Sequence, residues 1–328
     1  MAVTEAPGVE HEEADAGPDA ELREFHVSVQ QHGQRLDRCL AEVIVEFSRS
    51  YLQQLIADGA VELNGMAVLK SATRVKEGDA CRIALRATPQ SRAFRPEAMD
   101  LRVLFADAHL LVIDKPAGLV VHPAPGNWSG TLLNGLLAHD AALAELPRAG
   151  IVHRLDKDTS GLMLVARTRS TMDALVRMIA ERSVQRQYIA LAHRPWFGPA
   201  QRDISTAIGR DPVNRLRMAV VDTQRHAGKQ ARTSVEMLCN GDSGCLLRCT
   251  LHTGRTHQIR VHLASVGHPL VGDLTYGGQP AGGLQRQGLH AFRLALAHPV
   301  TGVSLELRSA LPTDLSEALQ GWGFAYGS

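Results

Sequence analysis

The sequence predicts a two-domain α+β protein, with a small helix-and-sheet unit ahead of a larger domain built on a central mixed, mainly antiparallel sheet. Three observations carry that expectation. A chain of 328 residues exceeds the roughly 100–200 at which single cores usually stop growing. Residues 87–99 hold two prolines and no apolar periodicity, which marks a linker. Beyond it, short apolar runs and helical stretches follow one another without the regular strand-helix repeat of a doubly wound sheet.

The first 22 residues belong to neither domain. They are acidic, contain Pro7, Gly8, Gly17 and Pro18, and hold few large apolar side chains, so a disordered acidic tail is expected over 1–22. Charge is distributed accordingly. Residues 1–24 carry eight acidic groups against Arg23, leaving 34 basic and 26 acidic groups in the remainder, a net of +8 that suits a polyanionic partner.

Composition excludes several classes. With 45% apolar and 21% charged residues, the body falls among globular proteins rather than disordered or membrane ones. No apolar run approaches the roughly 20 residues of a bilayer span, and the N-terminus is acidic where a secretory signal is basic, so a cytoplasmic location is expected. The five cysteines form no C-x-x-C pair and read as buried thiols. His257 and His262 miss the spacing of a zincin pair, and neither a Walker loop nor a Gly-x-Gly-x-x-Gly turn is present. No metal, nucleotide cofactor or membrane contact is expected, and the chain is taken to be a monomer.

In the first domain, placed at 23–86, Phe25–Val29 alternates like a strand and Leu36, Leu40, Val43, Ile44 and Phe47 recur at helical spacing. Ser48 reads as the N-cap of a second helix bearing Tyr51, Leu52, Leu55 and Ile56, which Asp58-Gly59 stops. Val61–Leu63 then meets Asn64-Gly65, a hairpin signal, and a further strand follows Gly78-Asp79. Arg35, Arg38 and Arg49 fall on or just before the helices, with Lys70, Arg74 and Lys76 in the loops beyond. Any such cluster can be a solvated face, but the order of elements over about 33–86 resembles the alpha-L RNA-binding domain first known from a ribosomal small-subunit protein. That resemblance assigns the three arginines to RNA.

The second domain, placed at 100–328, opens with the apolar runs Leu101–Phe105 and Leu110–Ile113, bounded by charged turns as buried strands are. A helix over 170–182 follows from Met172, Leu175, Val176 and Ile179, with Ser170 and Asp173 approximating a capping box. Ahead of it, Gly150-Ile-Val runs into His153-Arg154-Leu155-Asp156-Lys157-Asp158, followed at once by the apolar strand 162–166. Charges so concentrated between buried strands are forced onto a loop at the end of the sheet. Taken alone, this is either a catalytic loop or a polar turn tied by ion pairs.

The string His153-Arg-Leu-Asp-Lys-Asp-Thr-Ser-Gly161 resembles the signature of the RluA-type pseudouridine synthases. Asp114–Pro123, Thr253–His262 and Gly267–Asp273 resemble further family strings in the same order. The resemblance implies a pseudouridine synthase catalytic domain, with Asp156 as the catalytic carboxylate, acting either on carbon or as a base toward the sugar. It implies Arg260 as its ion-pair partner and Tyr188 against the target base; from the residues themselves, Thr256 reads as the cap of a helix with Ile259 and Leu263 inward and Arg260 alongside. Arg154 is implied to enter the RNA stack. His153 as a brace and Ile259 accompany it on the substrate side, while Lys115 reads as a residue of the site floor or a structural lysine.

Within the family, the alpha-L domain, Pro147–Asp156 and Ile208–Val220 lean toward the enzymes of the large ribosomal subunit that act on the helix 69 stem-loop. The expected partner is therefore 23S rRNA or the assembling subunit. Leu274-Thr275 before Tyr276-Gly277, and a short loop at 277–288, depart from the family pattern and bear on substrate choice. The alternatives are the same chemistry on another rRNA or tRNA site, or a catalytically silent RNA-binding or ribosome-assembly factor. The silent alternative predicts loss at the catalytic positions, and Asp156, Tyr188 and Arg260 are all present.

Overall fold

The computed structural model describes residues 21–45, 47–85, 93–124 and 126–326. Its contacts divide the chain into the units Met1–Arg92 and Ala93–Ser328. No helix of the described residues is long and apolar enough to cross a membrane.

In the first unit, α1 (Leu36–Val43) and α2 (Arg49–Ala57) accompany a four-stranded antiparallel sheet. Its strands are β1 (Glu21–His26), β2 (Val61–Leu63), β3 (Met66–Ala67) and β4 (Ala80–Leu85), in the order β1-β4-β2-β3. The local signals act as expected. The Ser48 hydroxyl accepts from the Tyr51 amide at 3.3 Å, and Asn64 and Gly65, at φ 52° and 78°, supply the left-handed pair that a two-residue hairpin turn requires. Phe47 lies beyond α1, and Val43 is 39% exposed, so the core face is Leu36, Cys39, Leu40 and Ile44.

Strand β1 begins at Glu21, not Phe25, and takes the last two residues expected in the acidic tail. Residues 1–20 lie outside the described residues. The strand sits at the sheet edge in register with β4, from Glu21 opposite Leu85 to His26 opposite Ala80. Its side chains alternate only between exposed and half-buried, so backbone pairing holds it without an apolar pattern.

Asp37 organises the helix pair. Its side chain is fully buried and accepts from Arg35 Nε at 3.0 Å, Arg49 Nη2 at 3.0 Å and Gln53 Nε2 at 2.6 Å. Two of the three arginines assigned to RNA are thus counter-ions of a core carboxylate, while Arg38 reaches Glu42 at 3.3 Å. The Arg35 guanidinium, helped by Gln53 and Arg49 against the opposing effect of burial, holds the Asp37 carboxyl well below the usual range. A carboxylate with a depressed folded-state pKa stabilises the fold above its unfolded pKa of about 4 and loses that contribution as pH falls below it. Asp37→Asn is expected to cost this unit about 2 kcal/mol at neutral pH. Urea unfolding of both proteins across the acid range should show the gap closing below about pH 4; a gap independent of pH would refute the role.

The second unit is built on β5 (Val103–Ala106), β6 (Leu110–Lys115), β7 (Ser160–Ala166), β8 (Gln185–His193), β9 (Gln201–Arg210), β10 (Met218–Val220), β11 (Gly228–Asn240), β12 (Gly244–Leu251), β13 (Leu289–Ala297) and β14 (Ser304–Arg308). Among the described residues they form one mixed sheet, ordered β10-β9-β11-β12-β8-β13-β7-β6-β5 with β14 also on β13. The β13–β7 pair is parallel and the others antiparallel. The helices are α3 (Leu132–His139), α4 (Arg169–Ala180), α5 (Gln258–Ser265) and α6 (Thr313–Gly321).

Alternation along the central strands sorts the core into layers. Leu111 and Ile113 of β6 join Tyr188, Ala190 and Ala192 of β8 under α3 and α5. Leu110 and Val112 face Leu175 of α4, and Ile189 and Leu191 face α6. Both faces are covered, which is why these strands read as continuous apolar runs.

Several local expectations shift. Residues 93–99, expected within the linker, hydrogen-bond into this unit: Asn134 Nδ2 donates to the Arg95 carbonyl at 2.8 Å, and the Glu97 carboxylate accepts from the Gly130 amide at 2.7 Å. Ile151 makes only an isolated bridge to Val165 instead of a strand. Helix α4 is capped by Thr168, whose hydroxyl accepts from the Thr171 amide, and not by Ser170; it starts earlier than the capping-box pattern implied, and Val176 is 48% exposed.

Candidate active site

The loop 152–159 is clamped before any reacting group is considered. At its entry Gly150 has φ +75°, and a Cβ there would stand 2.0 Å from the Ala166 carbonyl oxygen. At its exit Gly161 has φ +111°, and a Cβ would meet the Ala291 oxygen at 2.3 Å, so only glycine permits the parallel approach of β13. Beneath the loop the fully buried Lys115 ammonium donates to the carbonyls of Pro116, Leu119 and Lys157 at 2.8–2.9 Å. Burial pushes its pKa down to about 8, so it remains an ammonium at neutral pH. Lys115 is therefore the structural lysine of the two expected readings. Arg286 Nη1 donates to the Asp158 carbonyl at 2.9 Å, and Gln287 Nε2 to the Thr159 hydroxyl at 2.9 Å.

On this rigid loop Asp156 is presented with 16% of its side chain exposed. Arg260 Nη1 donates to Asp156 Oδ2 at 3.1 Å. The same guanidinium is held edge-on by Asp273, with Nε donating to Oδ2 at 2.7 Å and Nη2 to Oδ1 at 2.8 Å. It also lies over the Tyr276 ring, 5.0 Å from the centroid. Burial pulls the Arg260 pKa down, but the two carboxylates more than offset it and the net shift is upward.

Helix α5, which carries Arg260, is buried on every side from Gln258 to Leu263. Its N-cap is His257 in the left-handed conformation at φ 55°, not Thr256. The preceding turn is tied instead by Gln258, whose Oε1 accepts from the Arg255 amide at 3.0 Å and the Thr253 hydroxyl at 2.7 Å. His257 Nε2 stands 3.9 Å from Asp156 Oδ1, while its Nδ1 is 2.8 Å from the Tyr276 hydroxyl. That hydroxyl also accepts from the Met218 amide at 3.0 Å.

Asp156 lies on the wall common to two cavities of about 760 and 890 Å³. The first also holds Tyr188, His153 and Arg154; the second holds Arg260, His257 and again Arg154. Tyr188 is buried, and desolvation raises its pKa to about 12, so it is a neutral phenol. Arg154 is exposed. His153 accepts the Leu164 amide on Nε2 at 2.9 Å, and burial followed by the Arg186 charge lowers its pKa to about 3, leaving a neutral imidazole. Ile259, expected on the substrate side, is 3% exposed and packs with Leu263 and Tyr188 in the core instead of lining either cavity.

Residues 109–265 match the RNA pseudouridylate synthase family, and residues 34–81 match the S4 domain. Ribosomal large subunit pseudouridine synthase D of Nitrosomonas europaea is 45% identical over 298 residues, which span 88% of this chain and 84% of that protein. Proteins of the same name from Neisseria meningitidis and Escherichia coli are 44% and 40% identical, spanning 89% and 90% of this chain and 80% and 92% of their own. The chain belongs to the RNA pseudouridylate synthase family. Among solved structures, human RNA pseudouridylate synthase domain containing 1 superposes with a TM-score of 0.51 at 29% identity, over 65% of this chain and 84% of its own. Human RNA pseudouridylate synthase domain containing 4 shares the fold, with a TM-score of 0.54 at 24% identity over 69% and 95%.

This pseudouridine synthase is thus an isomerase with an S4 domain ahead of its catalytic domain. Its site brings together Asp156, Arg260, Tyr188, Arg154 and His153, all singled out from the sequence, and adds Asp273, Tyr276 and His257, to which no role was given. Asp273 ends the string Gly267–Asp273, but its pairing across 13 residues has no local signature. Because Asp273 is buried and touches Arg260 through two charge-assisted hydrogen bonds, Asp273→Asn is expected to lower single-turnover rate ten- to a hundredfold, or about 1.4–2.8 kcal/mol. RNA affinity should stay within about threefold. A filter-binding titration beside the rate measurement checks the split; a variant weakened mainly in binding would contradict it.

Proposed function

We propose that the chain isomerises uridine to pseudouridine in 23S rRNA of the large ribosomal subunit, in the helix 69 stem-loop, as a cytoplasmic monomer needing no cofactor. The reaction breaks the N1–C1′ bond, turns the uracil, joins C5 to C1′ and finally moves the C5 proton, by way of solvent, to N1. It needs a fixed carboxylate, a pocket that retains the freed base, and a means of extracting the uridine from its stack. The observation that carries the reading is the Asp156–Arg260 contact at 3.1 Å, with Asp156 and Tyr188 on one cavity wall.

In this reading Asp156 is the catalytic carboxylate. Its Oδ2 is taken by Arg260, while Oδ1 remains available to the substrate. Arg260 holds and orients Asp156, and Tyr188 lies against the base with its proton retained. Arg154, exposed on the loop beside Asp156, is suited to fill the stack that the uridine leaves, since a guanidinium plane stacks on bases. His153 braces the loop through the Leu164 amide. The large-subunit substrate is supported by the names of the relatives from three organisms. In the S4 unit, Arg35 and Arg49 keep roughly half of each side chain exposed beyond Asp37, which leaves them, with Arg38, able to meet phosphate.

The test is to incubate unmodified rRNA with the wild type and with Asp156→Asn, then map pseudouridines by carbodiimide-dependent reverse-transcription stops. Stops in helix 69 with the wild type and none with the variant are expected. Stops elsewhere would reassign the substrate, and stops with both proteins would remove Asp156 from the chemistry.

A further inference from the structure

Every buried charge among the described residues of the catalytic unit has a partner except one. Asp114 pairs with Arg102, Asp211 with Arg217, and Asp273 with Arg260, while Lys115 is held by three carbonyls. Arg186, on β8, is 6% exposed, yet its Nε is buried with no hydrogen-bond partner and its guanidinium forms no ion pair with any described residue. A guanidinium left buried and uncompensated is strongly unfavourable, so a counter-charge from outside the chain accounts for it.

Its position says where that charge comes from. Arg186 and Tyr188 are two apart on one strand, so both project to the same face, into the cavity that Asp156 lines. Arg148, Arg154, Arg182 and Arg255 line it too, and Asp156 is the one carboxylate among its described residues. Gly254 keeps space open beside the guanidinium, because a Cβ there would stand 3.2 Å from Nη1. A second unsatisfied donor adjoins it. His153 accepts on Nε2, so its proton sits on Nδ1, and Nδ1 is buried without a partner. Arg186 and Asp156 both act electrostatically on Tyr188, so both lie in its neighbourhood.

We propose that Arg186, with the Nδ1–H of His153, forms a buried anion site that takes an RNA phosphate diester adjoining the extracted uridine. A phosphate brings the full negative charge that the guanidinium lacks, and its oxygens accept from both donors. The site rests on the reading of this cavity as the uridine pocket, and Arg186 acts in it as a substrate-positioning residue.

The test couples a protein change to a substrate change. Synthetic stem-loops carrying a neutral methylphosphonate at single positions on either side of the target uridine are compared with the native RNA. The proteins are wild type, Arg186→Gln and Arg186→Lys, with dissociation constants and single-turnover rates measured for each. For one position, the wild type should bind the methylphosphonate RNA at least tenfold more weakly. Arg186→Gln should bind native RNA that much more weakly already and lose nothing further with the modified RNA, whereas Arg186→Lys should recover part of the affinity. Additive losses, or wild-type insensitivity at every position, would overturn the site. So would an Arg186→Gln variant that binds normally but reacts slowly, since that would place the guanidinium on the uracil. A wild type inactive on every RNA would instead sink the underlying functional reading.

Discussion

Arg260 is a guanidinium only 7% exposed, and the catalytic unit is arranged around its compensation. Asp273 occupies two donors through both of its oxygens, which fixes the plane of the group. The remaining edge offers Nη1 to a single oxygen of Asp156. The two carboxylates are therefore not equivalent: one is a saturated anchor, the other is left with an oxygen facing the cavity and His257. Removing either end leaves charge in a poorly solvated place, so the arrangement stands or falls together.

That constraint explains otherwise odd local features. Helix α5 is buried all round although it carries Arg260 and His262, because its charge is neutralised in place and His262 is a neutral ring bonded to Thr233. His257 adopts a left-handed conformation that a non-glycine residue rarely holds, and in doing so joins Tyr276 to the neighbourhood of Asp156. Lys115 is sunk at the end of β6 to hold three carbonyls of the loops that flank Asp156. Groups fixed in this way need no reorganisation when charge develops in the reaction, which is where electrostatic catalysis gains most.

What was legible in the sequence divides along the same line. Ser48 and Asn64-Gly65 act through neighbours within three residues, and their roles were readable because the chemistry is local. Asp156, Tyr188 and Arg260 could be singled out because each sits in a contiguous string with a known resemblance. Asp37 was not: inside Arg35-Leu-Asp-Arg38 it looks like one charge of a solvated face, and its partners Arg49 and Gln53 lie 12 and 16 residues away. The first four residues of strand β1 gave no signal because an edge strand can be held by its backbone alone. The caps of α4 and α5 moved because helix starts depend on which turn the rest of the fold tightens, not only on which hydroxyl is available.

Net charge is the coarsest of the sequence signals, and the structure changes what it means. Arginines paired one-to-one with a carboxylate, such as Arg167 and Arg232, look nearly neutral from beyond a Debye length, about 8 Å at physiological salt. They contribute little to attracting a polyanion. Arg148, Arg154, Arg182 and Arg186 carry no ion pair among the described residues and share one cavity wall with Asp156. The unpaired excess is thus concentrated on the wall of the cavity that Asp156 lines. A cavity wall that sets several unpaired arginines beside a single described carboxylate, itself paired with Arg260, presents net positive charge to a phosphate backbone.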